Sequence, residues 1–143
     1  MATERRLRIL VIGASGTLGR AVVAELGARH EIVAAGSKSG DLRIDIADPA
    51  SLIAGLAAAG PLDAVACAAG SVNFAPLDAI APAGIAQSVY GLGLANKLMG
   101  QVNLTLAARD VLREGGSITL IGGILADQPN CAMAALAVSR SLA

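Results

Sequence analysis

The sequence predicts an α/β fold of the Rossmann-like, doubly wound kind, with about five parallel strands in the order 3-2-1-4-5 and helices on both faces. Two observations predict it. Short apolar runs alternate with helix-like stretches along the 143 residues, as in a parallel sheet with crossover helices. The first apolar run ends in a glycine-rich turn, Gly13 to Gly19, directly before an amphipathic stretch. We interpret residues 1–143 as one domain, a typical size for a single core.

The strands are predicted from runs that are short, rich in aliphatic residues and bounded by turn-forming residues. They are Leu7–Ile12, Glu31–Gly36, Leu42–Ile46, Asp63–Gly70 and Ser117–Gly123. The third run alternates apolar and charged residues, which places it nearer an edge of the sheet.

Three helices are predicted between these strands. The first covers Thr17–Ala28, where apolar residues recur on one face. The second begins after Asp48, whose carboxylate can cap free N–H groups, with Pro49 in the first helical position. The third is predicted as one long helix over Ile85–Leu112, although its glycines weaken helix propensity.

Composition and charge exclude several classes of protein. Lys plus Arg equals Asp plus Glu at 11 each, which argues against a nucleic-acid partner. No run approaches the roughly 18 apolar residues of a membrane span, and no signal peptide is recognisable. Cys67 and Cys131 match no metal-binding spacing and are predicted to be reduced, buried thiols. We therefore expect a soluble, cytoplasmic protein without a metal.

The glycine turn, "GASGTLG", indicates a phosphate-binding site. Glycine lets the backbone approach a ligand closely, and the following helix presents free N–H groups and a partial positive charge. The hydroxyl groups of Ser15 and Thr17 can add donors. Three glycines alone are a weak signal, but a strand before them and an amphipathic helix after them strengthen it.

In combination with four further motifs, this turn resembles the short-chain dehydrogenase/reductase family. The resemblance is collinear from about Leu7 to Asp127. Its motifs are Gly13, Gly16 and Gly19; Asp45-Ile46; "CAAG" at Cys67–Gly70; "KLMGQVN" at Lys97–Asn103; and "GGSITLIGG" at Gly115–Gly123.

The resemblance implies an NAD(P)-dependent oxidoreductase that transfers hydride between nicotinamide and a small-molecule carbonyl or alcohol. It implies cofactor contacts in three groups: Gly13, Ser15, Gly16, Thr17, Leu18 and Gly19 in the first turn; Asp45 and Ile46 at the adenine; Ala68, Ala69 and Gly70 along the adenine ribose. Ala68 stands where the family has asparagine, which removes a side-chain hydrogen bond.

The end of the second strand favours NADP(H) over NAD(H). An NAD site carries an acid there for the ribose 2′-hydroxyl, whereas an NADP site carries positive charge for the 2′-phosphate. This sequence has Ser37, Lys38 and Ser39, with Arg43 close by. NAD(H) stays open as the alternative, through Asp41, if the loop bends back.

The catalytic residues of the family are not found in their usual places. The family uses a tyrosine and a lysine four residues later, after the fifth strand. Here the single tyrosine, Tyr90, precedes that strand and has Leu94 four residues later. Lys97, in the place of the family's long-helix asparagine, is the one catalytic candidate.

Two alternative functions remain open at this point. The absent Tyr–Lys pair and the absence of the family's C-terminal strands suit a shortened, non-catalytic NADP(H)-binding sensor or regulatory module. A methyltransferase also uses a glycine turn, but "AAGSKS" lacks the acid that it usually needs. We further expect a homo-oligomer formed through Ile85–Leu112, because that helix is rich in aliphatic residues.

Overall fold

A five-stranded parallel sheet forms the centre of the molecule, in a computed structural model that describes residues 5–123. The strand order is β3-β2-β1-β4-β5, which confirms the prediction. The strands are β1 (Arg8–Ile12), β2 (Glu31–Gly36), β3 (Leu42–Arg43), β4 (Leu62–Cys67) and β5 (Leu112–Leu120). Every pairing is parallel, so the carboxyl ends of the strands meet at one edge.

Three α-helices connect the strands: α1 (Thr17–Gly27), α2 (Pro49–Ala59) and α3 (Met99–Ala108). A π-helical segment, Gly93–Leu98, leads directly into α3, and two single-turn 3₁₀ helices precede it at Leu77–Ala79 and Ile85–Gln87. The predicted cap of α2 is confirmed, because Asp48 accepts a hydrogen bond from the backbone N–H of Ala50 at 2.9 Å.

Both faces of the sheet are covered by helices, as β1 shows. Leu10 and Ile12 belong to the larger core, which includes Leu52 and Leu56 of α2 and Leu104 of α3. The alternate residues Ile9 and Val11 form a second core, against which Val22, Val23 and Leu26 of α1 pack. This alternation follows from the two-residue period of a strand that is buried on both faces.

At the amino ends of the strands, the carboxylate of Asp63 joins three segments. It accepts hydrogen bonds from the Arg8 N–H at 2.8 Å, Arg5 at 2.6 Å and Arg113 at 2.7 Å. The Arg8 N–H, together with the charges of Arg113 and Arg5, holds the pKa of Asp63 below its ordinary value despite the opposing effect of burial. The network therefore ties β4 to β1 and β5 while Asp63 is ionised.

The prediction of one long helix over Ile85–Leu112 is wrong. The chain instead forms a 3₁₀ turn, the π-helical segment and α3, and β5 already begins at Leu112. Gly91 lies so close to the preceding turn that an added Cβ would be 2.0 Å from the carbonyl oxygen of Ile85. This close backbone approach is incompatible with a regular helix through that point.

The bounds of three strands also differ from the predictions by three residues or more. β4 ends at Cys67 rather than Gly70. β3 ends at Arg43 rather than Ile46, because Asp45 starts a turn in which its Oδ1 accepts a hydrogen bond from the Ala47 N–H at 2.9 Å. β5 covers Leu112–Leu120 rather than Ser117–Gly123. Its pairing with β4 shifts register between Leu62 and Ala64, and Gly115 adopts a φ of +75°. A bulge thus lets a strand continue through glycines that resemble a turn in sequence.

Several sequence-based interpretations lie outside residues 5–123, among them the thiol of Cys131 and the end of the family resemblance at Asp127. Within the described part, Cys67 is a free, buried thiol, as expected. None of the helices described there is long and apolar enough to cross a membrane. The same residues contain no cluster of three or more potential metal ligands.

Candidate cofactor site

The glycine turn after β1 is held tightly between its neighbours. Gly13 has a φ of +82°, and an added Cβ would lie 2.7 Å from the backbone nitrogen of Ala69. The N–H groups of Gly13 and Ala14 both donate to the Ala35 carbonyl, at 2.8 and 3.2 Å. An added Cβ at Gly19 would lie only 1.9 Å from the Gly13 oxygen. Glycine at these two positions lets α1 start directly on the turn.

A cleft of about 320 Å³ opens at the carboxyl edge of the sheet, beside this turn. It contains ten residues that the sequence predicted for the cofactor: Gly13, Ser15, Gly16, Ser37, Lys38, Asp45, Ile46, Ala68, Ala69 and Gly70. Ser39, which the sequence analysis noted beside Lys38, also lines it. Four further described residues line it that the sequence reasoning missed: Gly36, Ile44, Ser71 and Asn96. Thr17, Leu18 and Gly19 lie at the start of α1 and are not among the described lining residues.

The loop after β2 directs its acid away from the cleft. The Asp41 carboxylate accepts a hydrogen bond from the Ala34 N–H at 2.9 Å, and the Asp41 N–H donates to the Ala34 carbonyl at 2.7 Å. Gly40, with a φ of +104°, permits this contact, since an added Cβ would lie 2.7 Å from the Ala34 oxygen. Asp41 thus anchors the loop to β2, while Ser37 and Lys38 line the cleft.

Asp45 and Ile46, which follow β3, line the cleft on the same side of β1 as the loop after β2. The Asp45 carboxylate is exposed, but one oxygen already accepts the Ala47 N–H within its own turn. Ile46 is buried, and an added Cβ on Gly100 of α3 would lie 2.9 Å from its carbonyl oxygen. Asp45 therefore has a structural role in the turn, in addition to any role at a ligand.

At the other end of the cleft, the turn after β4 contacts the π-helical segment. The Ser71 N–H donates to Oδ1 of Asn96 at 2.8 Å. Gly70 has a φ of +138°, and an added Cβ would lie 3.0 Å from Cγ of Lys97. The aliphatic part of Lys97 thus lies over Gly70, near the edge of the cleft. No sequence signal marked Asn96 beyond its position next to Lys97.

The structure does not bring Tyr90 and Lys97 onto one regular helix. Tyr90 lies before the π-helical segment, its N–H donates to Oγ of Ser88 at 3.1 Å, and it does not line the cleft within the described residues. Cys67, at the end of β4, is buried below the turn, and burial raises the pKa of its thiol. Its Sγ lies 3.8 Å from the carbonyl oxygen of Ala69 in that turn. None of these three side chains is among the described lining residues of the cleft.

Comparisons with known proteins agree with this architecture. The crystal structure of the protein lin1944 from Listeria innocua is 40% identical and superimposes with a TM-score of 0.78, over 86% of this chain and 59% of that one. A small-chain dehydrogenase in complex with NADPH matches with a TM-score of 0.72 at 20% identity, over 88% of this chain and 55% of that one.

The 3-alpha-hydroxysteroid dehydrogenase from Pseudomonas sp. B-0831, complexed with NADH, matches with a TM-score of 0.63 at 22% identity, over 85% of this chain and 50% of that one. The chain thus spans between half and three-fifths of the length of these three structures. Comparison with protein-family models gives no match, and neither does comparison with curated proteins. The strand order, the glycine turn and these structural matches together show that the chain has the fold of the short-chain dehydrogenases/reductases.

Proposed function

We propose that the chain binds a nicotinamide dinucleotide in the 320 Å³ cleft and acts as an NAD(P)-dependent oxidoreductase on a carbonyl or alcohol. One observation carries this proposal: a single cleft joins the glycine turn to the loops after β2 and β4. In open α/β sheets, ligands bind at this carboxyl edge, where the strand order reverses.

The residues around the cleft fit the parts of such a cofactor. The pyrophosphate suits the Gly13–Gly19 turn, where the first-turn N–H groups of Thr17, Leu18 and Gly19 have no partner within the helix. The adenosine half then faces the loops after β2 and β3, with Asp45 and Ile46. The nicotinamide half runs toward Gly70 and Ser71.

Within this arrangement we propose a preference for NADP(H), with NAD(H) as the alternative. Lys38 lines the cleft between two serines and can neutralise a 2′-phosphate. Asp41, which could otherwise accept a hydrogen bond from a ribose hydroxyl, is engaged with the backbone of Ala34. The loop therefore offers a cation and hydroxyl groups, rather than an acid, to the adenosine half.

A bound nicotinamide cofactor supplies or accepts the hydride; the protein must additionally bind the substrate oxygen and move a proton. We propose Lys97 for that role, because its side chain crosses Gly70 at the nicotinamide end of the cleft. An ammonium group can stabilise negative charge that develops on the substrate oxygen, and it can donate a proton.

The test of cofactor binding is a titration of the purified chain with NADPH and, separately, NADH, followed by nicotinamide fluorescence. We expect tighter binding of NADPH. Lys38→Ala should weaken NADPH binding at least tenfold and leave NADH binding nearly unchanged, since a charge-assisted contact contributes about 1.5–3 kcal/mol. Arg29→Ala is the control, because it also removes one positive charge but at a residue just beyond the C-terminal end of α1, where Arg29 pairs with Glu25. Binding of neither cofactor would refute the proposal.

Catalysis is tested separately from binding. Turnover of NADPH with a panel of aldehydes and ketones, lost in Lys97→Ala, supports the oxidoreductase. Tight binding without turnover of any member would favour the non-catalytic sensor instead.

We also propose self-association through the segment that contains α3. Met99 and Leu106 of this helix are 45% and 52% exposed, and an apolar groove of about 470 Å³ separates α2 from α3. Exposed apolar surface of this kind is typical of protein interfaces. Sedimentation velocity should show a species larger than the monomer, reduced in Leu106→Gln. A location in the cytoplasm and the lack of a nucleic-acid partner remain predictions from composition.

A further inference from the structure

The turn after β4 contains four residues, Ala68 to Ser71, and has no polar side chain before Ser71. Its backbone begins in the sheet, where the Ala68 N–H donates to the Ile12 carbonyl at 2.8 Å. Beyond that point the chain leaves the sheet through Gly70, whose φ of +138° is accessible mainly to glycine. Such a turn needs contacts from outside itself to keep one conformation.

Asn96 supplies one such contact. Its Oδ1 accepts the Ser71 N–H at 2.8 Å, across 25 residues of sequence. Because the N–H can only donate, the amide of Asn96 is fixed with its oxygen toward the turn and its NH₂ group away from Ser71. Asn96 itself lines the cleft.

The π-helical segment brings this contact about. Two consecutive residues, Asn96 and Lys97, touch two consecutive residues of the turn, Ser71 and Gly70 respectively. π-Helical turns are rare and frequently mark functional sites. Here the turn lies at the point where the predicted long helix departs from regular geometry.

We propose that Asn96 is a positioning residue: it holds the Ala68–Ser71 turn in place for the nicotinamide half of the cofactor and replaces the side-chain hydrogen bond that Ala68 cannot make. The inference rests on the proposed function, because it assumes that a dinucleotide occupies the cleft. The adenosine half faces the loops after β2 and β3 and, as the family resemblance implies, the start of the Ala68–Ser71 turn. That start is anchored to the sheet by the Ala68 N–H, whereas Asn96 contacts the far end at Ser71, so we expect the adenosine contacts not to depend on Asn96.

The experiment compares a whole ligand with half of it. NADPH and adenosine 2′,5′-bisphosphate, which lacks the nicotinamide half, are titrated against the wild type, Asn96→Ala and Asn103→Ala. Asn103 is a matched control, since it lies on α3 at the groove toward α2 and not at the cleft. We expect Asn96→Ala to weaken NADPH binding about fivefold, the effect of one hydrogen bond, without changing the affinity for the bisphosphate. Asn103→Ala should change neither.

Rescue and amide exchange separate positioning from general destabilisation. Asn96→Asp keeps an acceptor and should retain protection of the Ser71 amide against hydrogen exchange, whereas Asn96→Ala should lose it. The inference would be overturned if Asn96→Ala weakened the binding of NADPH and of the bisphosphate equally, or if it did not weaken the binding of NADPH. If the wild type binds the bisphosphate but not NADPH, or binds neither, the proposed function itself fails, whatever the exchange rate of Ser71.

Discussion

Replacement of Gly19 by alanine tests the closest packing contact at the site. The new Cβ would lie 1.9 Å from the Gly13 oxygen, 2.7 Å from the Gly13 carbonyl carbon and 2.9 Å from Cα of Ala14. All three are backbone atoms, so no side chain can rotate away. Even a separation of 3.0 Å requires the start of α1 and the turn to move apart by about 1 Å.

The expected cost follows from this displacement. Overpacking in a close-packed region destabilises a protein by about 1–3 kcal/mol, and a clash with backbone atoms belongs at the upper end. For a chain of this size, about 3 kcal/mol corresponds to a decrease in Tm of roughly 6–12 °C. Gly27→Ala is the control in the same helix, because the nearest atom to its added Cβ is Cγ1 of Ile32 at 3.8 Å. Because alanine has a higher helix propensity than glycine, Gly27→Ala should leave Tm unchanged or raise it slightly.

The assay is thermal unfolding followed by far-UV circular dichroism, since the chain has no tryptophan and one tyrosine. Urea denaturation of the same variants gives the free energy of unfolding at 25 °C. A Tm for Gly19→Ala within about 1 °C of that for Gly27→Ala would refute the close packing of α1 on the turn.

Three further predictions concern aspartates. Asp63→Asn should lower the free energy of unfolding at pH 7, because the folded state lowers the pKa of Asp63 and so favours its ionised form. The difference from the wild type should be full above the unfolded pKa of about 3.9 and should disappear as the pH falls through the lower pKa of the folded state. Urea titrations at several pH values check this, and a deficit independent of pH would contradict it. Asp48→Ala should cost about 1 kcal/mol through loss of the α2 cap, measured by urea denaturation; a cost below about 0.3 kcal/mol would show the cap to be unimportant. Asp41→Ala should reduce the proposed preference for NADPH over NADH, whereas Asp41→Asn, which keeps an acceptor for the Ala34 N–H, should retain most of it. Fluorescence titration of both variants with both cofactors measures this preference. Equal selectivity in the two variants would argue against the role of the Asp41–Ala34 hydrogen bond in holding the loop.

Local chemistry made much of this fold predictable. Asp48 and Pro49 marked the start of α2 because a capping carboxylate and a proline satisfy the first-turn geometry without help from the rest of the chain. The strand order followed from right-handed crossovers. The glycine turn predicted where a cleft would form, because its neighbours in a parallel sheet are fixed by that order.

The errors arise where distant contacts decide the local structure. Apolar periodicity predicted a regular helix through Gly91, but the close approach to Ile85 interrupts it. The resulting π-helical geometry brings Asn96 to Ser71, a pairing that no α-helical spacing indicates. The bulge at Gly115 likewise depends on the partner strand β4, so the sequence of β5 alone reads as a turn followed by a shorter strand.

The anchor formed by Asp41 has a consequence for the edge of the sheet. β3 pairs with β2 through only Leu42 and Arg43, and the Asp41 carboxylate occupies the N–H of Ala34 immediately before that pairing begins. An unpaired strand edge is a template for association with other chains, and short edge strands with charged residues reduce that hazard. The loop that presents Lys38 therefore also shields β2 against intermolecular pairing. Rebuilding this loop to change the proposed cofactor preference would expose that edge, so the proposed selectivity and resistance to aggregation depend on the same six residues, 36–41.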